Sequence, residues 1–392
     1  MITTAIMIFW FCVLVLAYTF AGYPLMLAAL GRLYPRRVHK QPISVSVTFI
    51  VPAHNEGKII QRKIENIRQL EYPRDLIQII VVSDASTDDT AQRCREFEDV
   101  IIVELDDRSG KSAALNAGLK LATGNLIAFT DASIMLRPDS LRRAVEPFAD
   151  PKVGCVSSED EVVSLGGIGT GEGFYTRLDA YSRRVEGQVS SATGMSGSFH
   201  LVRRELCPVF PGAVATDMFA ALFCVSRGYR AIVEESSKVE VKAQADTKRE
   251  FGRKVRTMLT GLSAVFEVPR LLNPFKYGLF SWCLFSHKVL RYLTPIFTAL
   301  ILVSSFYLAF SSNFFKTIVA LECLAICAAL FVNNKKTNTH IPRIIAIPAF
   351  FGITVSAAAV ALFRYIKGDR AIAWQPTERN AGMKYPSQGN PE

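Results

Sequence analysis

The sequence predicts an α/β domain with a mostly parallel sheet, joined to apolar helices that cross a membrane. Three observations indicate this. Short apolar runs alternate with helical patterns in the first half of the region 44–272, which is typical of a parallel sheet covered on both faces. Each of these runs is followed by a polar loop. Uncharged stretches long enough to cross a bilayer lie on either side of this region.

Four apolar runs are predicted strands, and three helical patterns lie between them. The predicted strands are 45–51, 76–82, 100–105 and 126–129. The predicted helices are 57–70, 87–97 and 110–122. Sheets of this kind bind ligands outside the carboxyl ends of their strands, so the loops at that edge are the expected binding site.

Those loops read PAHNE (52–56), SDASTDD (83–89), DDRSGKS (106–112) and TDAS (130–133). Asp84 ends the second strand, where an Asx turn is the alternative to a binding role. Asp131 follows the fourth strand and is placed to hold a hard cation such as Mg²⁺ or Mn²⁺. The loops therefore predict a polar binding rim.

Several other classes of protein are excluded. Gly110, Lys111 and Ser112 resemble the end of a P-loop, but that motif needs a glycine where this chain has Leu105. The 8 cysteines contain no CxxC pair, which argues against a zinc site and a disulfide framework. The net charge of +10 lies largely beside the apolar segments, so it favours membrane lipid and predicts no nucleic-acid partner.

The apolar segments predict a multi-pass membrane protein. Residues 1–31, 292–315 and 344–363 carry no charged side chain, and 317–334 is interrupted only by Glu322. A cleaved signal peptide is the alternative for 1–31, but a retained anchor is favoured because its apolar run is long and lacks a basic start. The basic residues that follow it keep the next domain in the cytoplasm: Arg32, Arg36, Arg37 and Lys40.

The predicted organisation is an anchor (1–31), a cytoplasmic domain (44–272), an interfacial helix (275–287), a transmembrane region (289–365) and a polar tail (366–392). A glycine-rich loop is predicted at 166–173. Four spans would place both termini outside, yet Arg364, Lys367 and Arg370 favour the inside. Either one late segment lies in the interface or the basic tail is tolerated outside. Glu322 marks either a function within the membrane or a position near the interface.

The motifs resemble those of a known family. IVPAHNE, VVSDASTDDT, RSGKSAALNAGL and AFTDAS stand in the order and spacing found in family 2 glycosyltransferases with the GT-A fold. GMSGSFHLVRREL resembles the acceptor-side loop of that family, and ATDMFAALFCVSRGYRAIVEE resembles the segment with the catalytic base. KREFGRKVRTMLTGL, LLNP and FSHKVLRYLTPIF resemble the membrane-bound branch that builds bacterial polysaccharides, so the resemblance covers nearly the whole chain.

The resemblance implies roles for individual residues. Asp217 would be the general base, with a helix N-cap as its alternative role, and Asp131 and Ser133 would hold the metal. The residues implied in nucleotide-sugar binding are Pro52, Ala53, Glu56, Asp84, Lys111, Asp131, Arg253 and Arg256. Those implied on the acceptor side are Gly194, Ser196 and Gly197. Asp84 would accept a hydrogen bond from the edge of the nucleotide base. Arg253 and Arg256 share a helix face and would meet the diphosphate, with a membrane-surface patch as the alternative.

Two positions depart from the family pattern. Ser133 stands where a second acid is usual, and the QxxRW-like position reads Arg253-Lys-Val-Arg256-Thr. The first departure predicts a metal site with fewer charged ligands, and the second leaves processive chain extension open. His54 and His200 receive no catalytic role, and His287 is predicted to be structural.

We therefore expect an inverting glycosyltransferase at the cytoplasmic face of the plasma membrane. Its donor would be a nucleotide-diphosphate sugar, a UDP-sugar by resemblance, and its acceptor a growing polysaccharide or a lipid-linked sugar. The alternative is a catalytically weak nucleotide-sugar-binding subunit of a polysaccharide synthesis and export complex, which would bind other polysaccharide-assembly proteins. A transporter is disfavoured because four spans are few and no inverted repeat is visible.

Overall fold

The computed structural model describes residues 1–163, 170–242, 247–334 and 343–370. Residues 166–169 of the predicted glycine-rich loop and the predicted tail from 371 onward lie outside these residues, whereas 170–173 begin a helix, Thr170–Val189, instead of completing the loop.

One eight-stranded sheet forms the centre of the domain. Its strands are β1 (Val47–Ala53), β2 (Ile77–Asp84), β3 (Val100–Leu105), β4 (Leu126–Thr130), β5 (Met135–Leu136), β6 (Val153–Val163), β7 (Phe199–Arg203) and β8 (Arg230–Lys242). Their spatial order is β3-β2-β1-β4-β7-β6-β8-β5.

The sheet is mixed, and four of its seven strand pairs are parallel, in agreement with the mostly parallel sheet that the sequence predicts. β1 to β4 are mutually parallel where they pair, as the strand–helix alternation indicates. β7 then runs antiparallel to both β4 and β6, and β5 runs antiparallel to β8, while β6 and β8 are parallel. The four predicted strands therefore form only one half of the sheet.

Apolar side chains on both faces of the sheet explain why these runs form central strands. Every residue of β1 is buried. Phe49 and Val51 pack in a core cluster on one face with Ile64, and Ile50 packs in a second cluster with Leu115. Helices thus cover both faces, which fixes the register of β1 and holds its carboxyl end at the rim.

The helices follow the chain as α1 (Ile2–Leu33), α2 (Gly57–Arg68), α3 (Thr90–Cys94), α4 (Lys111–Leu119), α5 (Ser140–Val145), α6 (Thr170–Val189), α7 (Thr216–Ser226), α8 (Thr247–Glu267), α9 (Leu279–Ala309), α10 (Asn313–Asn334) and α11 (Arg343–Ile366). A one-turn helix, Pro274–Tyr277, precedes α9.

Two helices within the described ranges are long and apolar enough to cross a membrane, namely α1 and α9. The sequence predicts one N-terminal span and about three C-terminal spans. Two helices that meet the requirements of length and composition support that prediction only in part. α10 and α11 are helical where the other spans are predicted, but the apolar stretch found in α11 covers only Phe351–Ile366. Their crossing of a membrane stays a prediction.

The boundary predicted between an interfacial helix and the next span is not a helix boundary. α9 begins at Leu279 and continues to Ala309, with a π-helical turn at Phe285–Val289. Its first turns pack on the domain, since Cys283 shares a cluster with Tyr23 of α1 and Val185 of α6. α9 therefore connects the domain directly to the apolar helices.

Candidate active site

The carboxyl end of β4 presents Asp131 to a basic partner. Lys111 begins α4, directly after Gly110, whose φ of 85° lies in the region that favours glycine. This turn brings Nζ of Lys111 to 2.6 Å from Oδ1 of Asp131, and both side chains are about a quarter exposed (22% and 26%). The two residues that the sequence places in separate rim loops thus form one ion pair facing solvent.

Asp84 holds the turn that positions Lys111. Its side chain is buried, and its Oδ1 and Oδ2 accept hydrogen bonds from the backbone N–H groups of Ser109 (2.7 Å) and Gly110 (2.9 Å). The base-edge role implied by the resemblance stays a prediction. The contacts that the structure displays are to the backbone, and they fix the start of α4.

The first two rim loops are tied together by side chains that sequence reasoning missed. Asn55 and Ala85 adopt positive φ angles of 55° and 50°, a left-handed conformation that asparagine tolerates but that is strained for alanine. Oδ1 of Asn55 accepts from the backbone N–H of Thr87 at 2.8 Å, and the hydroxyl of Thr90 accepts from the backbone N–H of Glu56 at 2.8 Å. The Asn and Thr residues in PAHNE and STDDT are the sequence signal for such turns.

These loops surround the predicted nucleotide-binding residues. Pro52 and Ala53 end β1 and are buried, whereas Glu56 is partly exposed just before α2. Gly57 lies so close to the second loop that a Cβ atom there would meet Oδ1 of Asp89 at 1.9 Å. The structure therefore fixes the backbone at this end of β1.

Lys63 is a buried cation that the sequence analysis did not select. Its ammonium group donates to Oγ1 of Thr130 (3.0 Å) and to the carbonyl oxygen of Ile134 (2.6 Å), on either side of Asp131. Burial lowers the pKa of Lys63 to about 7, although the charge of Asp131 acts in the opposite direction. Through these two hydrogen bonds Lys63 holds the TDAS loop on both sides of Asp131.

Asp217 lies in the first turn of α7 and is partly exposed. Ala215 occupies the N-cap position, so neither Asp217 nor Thr216 caps this helix. A Cβ atom at Gly197 would lie 3.7 Å from Oδ2 of Asp217, so the acceptor-side loop passes directly beside the carboxylate. No hydrogen bond to the side-chain carboxylate of Asp217 occurs among the described residues. This carboxylate is available to accept a proton.

His200 connects Asp217 with the Lys111–Asp131 pair electrostatically. Burial lowers the pKa of His200 to about 4, while the charges of Asp217 and Asp131 act to raise it and that of Lys111 to lower it. Its Nδ1 lies 3.0 Å from the carbonyl oxygen of Ser196. His200 is therefore neutral near pH 7, and all three charged groups lie within range of one buried ring.

The predicted acceptor-side residues form a loop held by hydrogen bonds. Oγ of Ser196 donates to Oδ1 of Asp160 at 2.6 Å, and the N–H of Ser196 donates to Oγ of Ser157 at 2.7 Å. Gly194 and Ser196 are buried, while Gly197 is partly exposed beside Asp217. Of the three predicted residues, Gly197 is the one placed at the open surface.

The two arginines of α8 differ in their surroundings. Arg253 is exposed and Arg256 is partly buried. Burial and the charge of Arg253 lower the pKa of Arg256, whereas the charge of Asp131 raises it. Arg256 is therefore within electrostatic range of the Lys111–Asp131 pair, as a diphosphate-binding role requires.

Asp131 and Ser133 offer an incomplete cation site. Across the part of the chain that the structure describes, no group of three or more His, Cys, Asp or Glu side chains is arranged to hold a metal. Ser133 is partly exposed near Asp131, whose Oδ1 contacts Lys111. Two oxygen-bearing side chains supply few of the oxygens that a hard cation needs, so a ligand such as a diphosphate would supply most of the remainder and strengthen the binding.

A buried polar network joins the loop that contains Thr193 and Gly194 to α1 and α9. Glu186 of α6 accepts hydrogen bonds from the hydroxyl of Tyr23 (2.6 Å) and from the N–H and hydroxyl of Thr193 (both 2.9 Å), and it also contacts Nδ1 of His287. Nε2 of His287 lies 2.8 Å from Oδ1 of Asp179. The structural role predicted for His287 fits these contacts.

Comparisons with known proteins agree with this architecture. Residues 48–208 match the family model described as Glycosyl transferase family 2. The poly-beta-1,6-N-acetyl-D-glucosamine synthase of Staphylococcus aureus (strain COL) is 31% identical over 197 residues, which cover 47% of each chain. The synthase of the same name from Staphylococcus epidermidis is 29% identical over 166 residues, covering 40% of this chain and 39% of the relative. The match thus spans about half the length of these curated relatives.

One solved structure shares the fold over most of the chain. It is the mannosyltransferase PcManGT from Pyrobaculum calidifontis, in complex with GDP-Man and Mn²⁺. The TM-score is 0.70 at 24% identity, covering 92% of this chain and 99% of that chain. At this identity the similarity establishes the fold alone.

Proposed function

From the premise that residues 48–208 form a family 2 glycosyltransferase domain with the GT-A fold, we propose that this protein transfers a sugar from a nucleotide-diphosphate sugar to an acceptor hydroxyl. The observation that carries the proposal is the placement of Asp217. Its carboxylate accepts no hydrogen bond among the described residues, borders the loop at Gly197, and shares the electrostatic surroundings of His200 with Asp131 and Lys111.

The chemistry follows from these positions. The acceptor oxygen attacks the anomeric carbon, the bond from that carbon to the phosphate oxygen breaks, and the nucleoside diphosphate leaves. Asp217 takes the proton of the attacking hydroxyl, a contribution worth roughly 10²–10⁴ in rate. One such displacement inverts the anomeric centre, so an α-linked donor gives a β-linked product.

Basic side chains would hold the departing diphosphate. Lys111 lies at the rim beside Asp131, and Arg256 lies within electrostatic range of the same carboxylate. Arg253, on the same helix, is exposed and would contribute a second guanidinium group to the binding of the anion. A divalent cation, Mg²⁺ or Mn²⁺, held by Asp131 and Ser133 would offset the negative charge of the leaving group. The Mn²⁺ in PcManGT supports this proposal.

The donor and acceptor classes belong to the same proposal. We propose a hexosyl or N-acetylhexosaminyl donor, which the name of the staphylococcal relatives supports, with UDP as the carrier. The GDP-Man bound to PcManGT makes GDP-sugars the second class to test. The acceptor would be a growing polysaccharide or a lipid-linked sugar, a proposal supported by the length and apolar composition of α1 and α9, which are sufficient to cross a membrane.

We also propose that the domain lies at the cytoplasmic face of the plasma membrane. The basic residues that follow α1 support this orientation, since positive charge beside a span favours the cytoplasm. They are Arg32, Arg36, Arg37 and Lys40. Other polysaccharide-assembly proteins would be partners at this face.

A second candidate function is a catalytically weak nucleotide-sugar-binding subunit. Ser133 in place of a second acid and the pairing of Asp131 with Lys111 favour it. The full-length protein in detergent should be screened against UDP- and GDP-sugars, with and without Mn²⁺, following release of nucleoside diphosphate and sugar transfer to a membrane lipid extract. Metal-stimulated transfer from one donor supports the enzyme. Binding of a donor with no turnover under any condition would favour the subunit.

A further inference from the structure

Glu186 of α6 is a fully buried carboxylate with partners from three other segments of the chain. The hydroxyl of Tyr23 in α1 donates to its Oε1 at 2.6 Å, and Nδ1 of His287 in α9 contacts the same oxygen. The N–H and the hydroxyl of Thr193 both donate to its Oε2 at 2.9 Å. One side chain therefore connects α1, α6 and α9 to the loop from Thr193 to Gly197, which we call the 193–197 loop.

The contacts of Glu186 compensate for the burial of its charge. Burial acts to raise the pKa of Glu186, but the charge of His287 and the hydrogen bond with it lower that pKa below its ordinary value. His287 lies in the π-helical turn of α9, and its Nε2 is 2.8 Å from Oδ1 of Asp179, so the imidazole is held between two carboxylates. A buried polar network whose members are satisfied favours one fixed arrangement.

The 193–197 loop packs along the turn of α7 that carries the proposed general base. A Cβ atom at Gly194 would lie 3.7 Å from Cγ of Met218, the residue after Asp217. A Cβ atom at Gly197 would lie 3.7 Å from Oδ2 of Asp217 itself. The loop therefore borders this turn at two points, and the first of them directly follows Thr193.

α8 and α9 enclose the same turn of α7 from other directions. The hydroxyl of Tyr292 in α9 lies 4.0 Å from Sδ of Met218, and a Cβ atom at Gly261 of α8 would meet that hydroxyl at 2.2 Å. The N–H of Ala215 donates to the carbonyl oxygen of Thr260 at 3.0 Å. Met218 is thus packed between α9 and the 193–197 loop, so a shift of the loop would loosen this turn.

The loop has a second anchor on β6. Ser196 donates from its N–H to Oγ of Ser157 and from its hydroxyl to Oδ1 of Asp160. Thr193 and Ser196 are three residues apart, so at most about 11 Å of chain joins the two anchors. With both in place, the backbone that packs on Met218 has little freedom. Without the anchor at Glu186, only the second half of the loop is fixed by these contacts.

We propose that Glu186 is a positioning residue for sugar transfer. It holds Thr193, and through the contact of Gly194 with Met218 it keeps the 193–197 loop against the turn that carries Asp217. A misplacement of about 1 Å can cost roughly 10²-fold in rate, so release of the loop should slow transfer while the donor still binds at the strand ends. The effect on transfer rests on the proposed function, whereas the anchoring of the loop does not.

Two substitutions of Glu186 test the proposal in the full chain in detergent. Glu186→Leu removes every partner of Thr193, whereas Glu186→Gln retains an oxygen for Thr193 and an amide that can donate to Tyr23 and His287. With the donor that the wild type turns over, we expect kcat for transfer to fall at least about tenfold in Glu186→Leu, with the donor KM unchanged. Glu186→Gln should stay within about threefold of the wild type.

Two results would contradict this expectation. A wild-type kcat in folded Glu186→Leu would overturn the positioning role. An equal loss in Glu186→Leu and Glu186→Gln would assign the effect to the charge and overturn the anchoring by hydrogen bonds.

Thr193→Val is the milder variant, which keeps the proposal testable if Glu186→Leu does not fold. It deletes one hydroxyl and leaves the backbone N–H on Glu186, so we expect kcat to fall roughly threefold to tenfold. Ser182→Ala is the matched control, because its buried hydroxyl lies on α6 one turn before Glu186 and donates to the carbonyl oxygen of Leu178. It should retain the wild-type kcat. Equal values of kcat in the two variants would show that the network is only structural.

Amide hydrogen exchange, measured by mass spectrometry without nucleotide, tests the anchoring independently of activity. Peptides that contain the 193–197 loop should exchange faster in Thr193→Val than in the wild type, while peptides from β1 stay protected and Ser182→Ala is unchanged. Faster exchange in the loop, with no nucleotide sugar turned over by the wild type, would support the anchoring and reject the transferase proposal. Wild-type exchange and kcat in Thr193→Val, with a donor turned over, would do the reverse.

Discussion

Nζ of Lys111 lies 2.6 Å from Oδ1 of Asp131, so the carboxylate proposed to hold a metal is already paired with a cation. A divalent ion at Asp131 must coexist with this ammonium group or displace it. Because both side chains are partly exposed, the pair is worth about 1 kcal/mol or less, and a bound diphosphate can replace Asp131 as the partner of Lys111.

We predict that Lys111→Met binds Mn²⁺ more tightly than the wild type when no nucleotide is present. Removing the competing charge should raise the affinity roughly fivefold, the factor that corresponds to about 1 kcal/mol. Titration calorimetry on the full chain measures this. Lys120→Met, which alters an exposed lysine at the other end of α4, is the control and should match the wild type. An unchanged affinity in Lys111→Met would show that Lys111 does not compete with the metal.

Asp84→Asn tests the contacts made by the buried carboxylate of β2. Both oxygens of Asp84 accept backbone N–H groups, so an amide nitrogen in place of one oxygen would face a donor. We predict a loss of about 1–3 kcal/mol in stability, measured as a lower thermal midpoint. Asp107→Asn alters an exposed acid in the loop that contains Ser109 and Gly110, and it should leave the thermal midpoint unchanged. A normal midpoint together with lost nucleotide binding would instead support the base-edge role.

Lys63→Met tests the buried ammonium group beneath the TDAS loop. Since burial lowers the pKa of Lys63 from 10.5 to about 7, the unfolded chain binds more protons than the folded chain between these values. The contribution of Lys63 to stability should therefore rise with pH from about 7 to about 10, by at most ~1.4 kcal/mol per pH unit.

The measurement for Lys63 is the thermal midpoint of both proteins at several pH values. The thermal midpoint of the wild type should rise relative to that of Lys63→Met as the pH rises from 7 to 9.5. Lys58→Met, an exposed lysine on the same helix, should follow the wild type. Parallel curves for the wild type and Lys63→Met would contradict the lowered pKa.

The strand–helix alternation predicts the first half of the sheet closely, because β1 to β4 are apolar runs that end in polar loops. The second half was not predicted. β6 and β8 carry acids, lysines and serines within the strand, and β7 opens the antiparallel part of the sheet. These polar positions interrupt the apolar runs of β6 and β8, so local hydrophobicity identifies both strands poorly.

In the candidate site, too, the sequence predicts what depends on neighbouring residues and misses contacts between residues far apart in the chain. Asp84, Lys111 and Asp131 lie in predicted rim loops, but the hydrogen bonds of Asp84 reach residues 25 and 26 positions away, a pairing that no local pattern indicates. Lys63 could have been found. It lies on the helix face of Ile60, Ile64 and Ile67, and a lysine on a buried face needs a polar partner.

The most direct test of the central claim is sugar transfer by Asp217→Asn, using the donor that the wild type turns over. We predict that transfer falls by roughly 10²–10⁴, the range for loss of a general base, while the dissociation constant of the nucleotide stays unchanged. Asp75→Asn, an exposed acid before β2, should retain full activity. Wild-type rates of transfer in Asp217→Asn would contradict the assignment of the catalytic base.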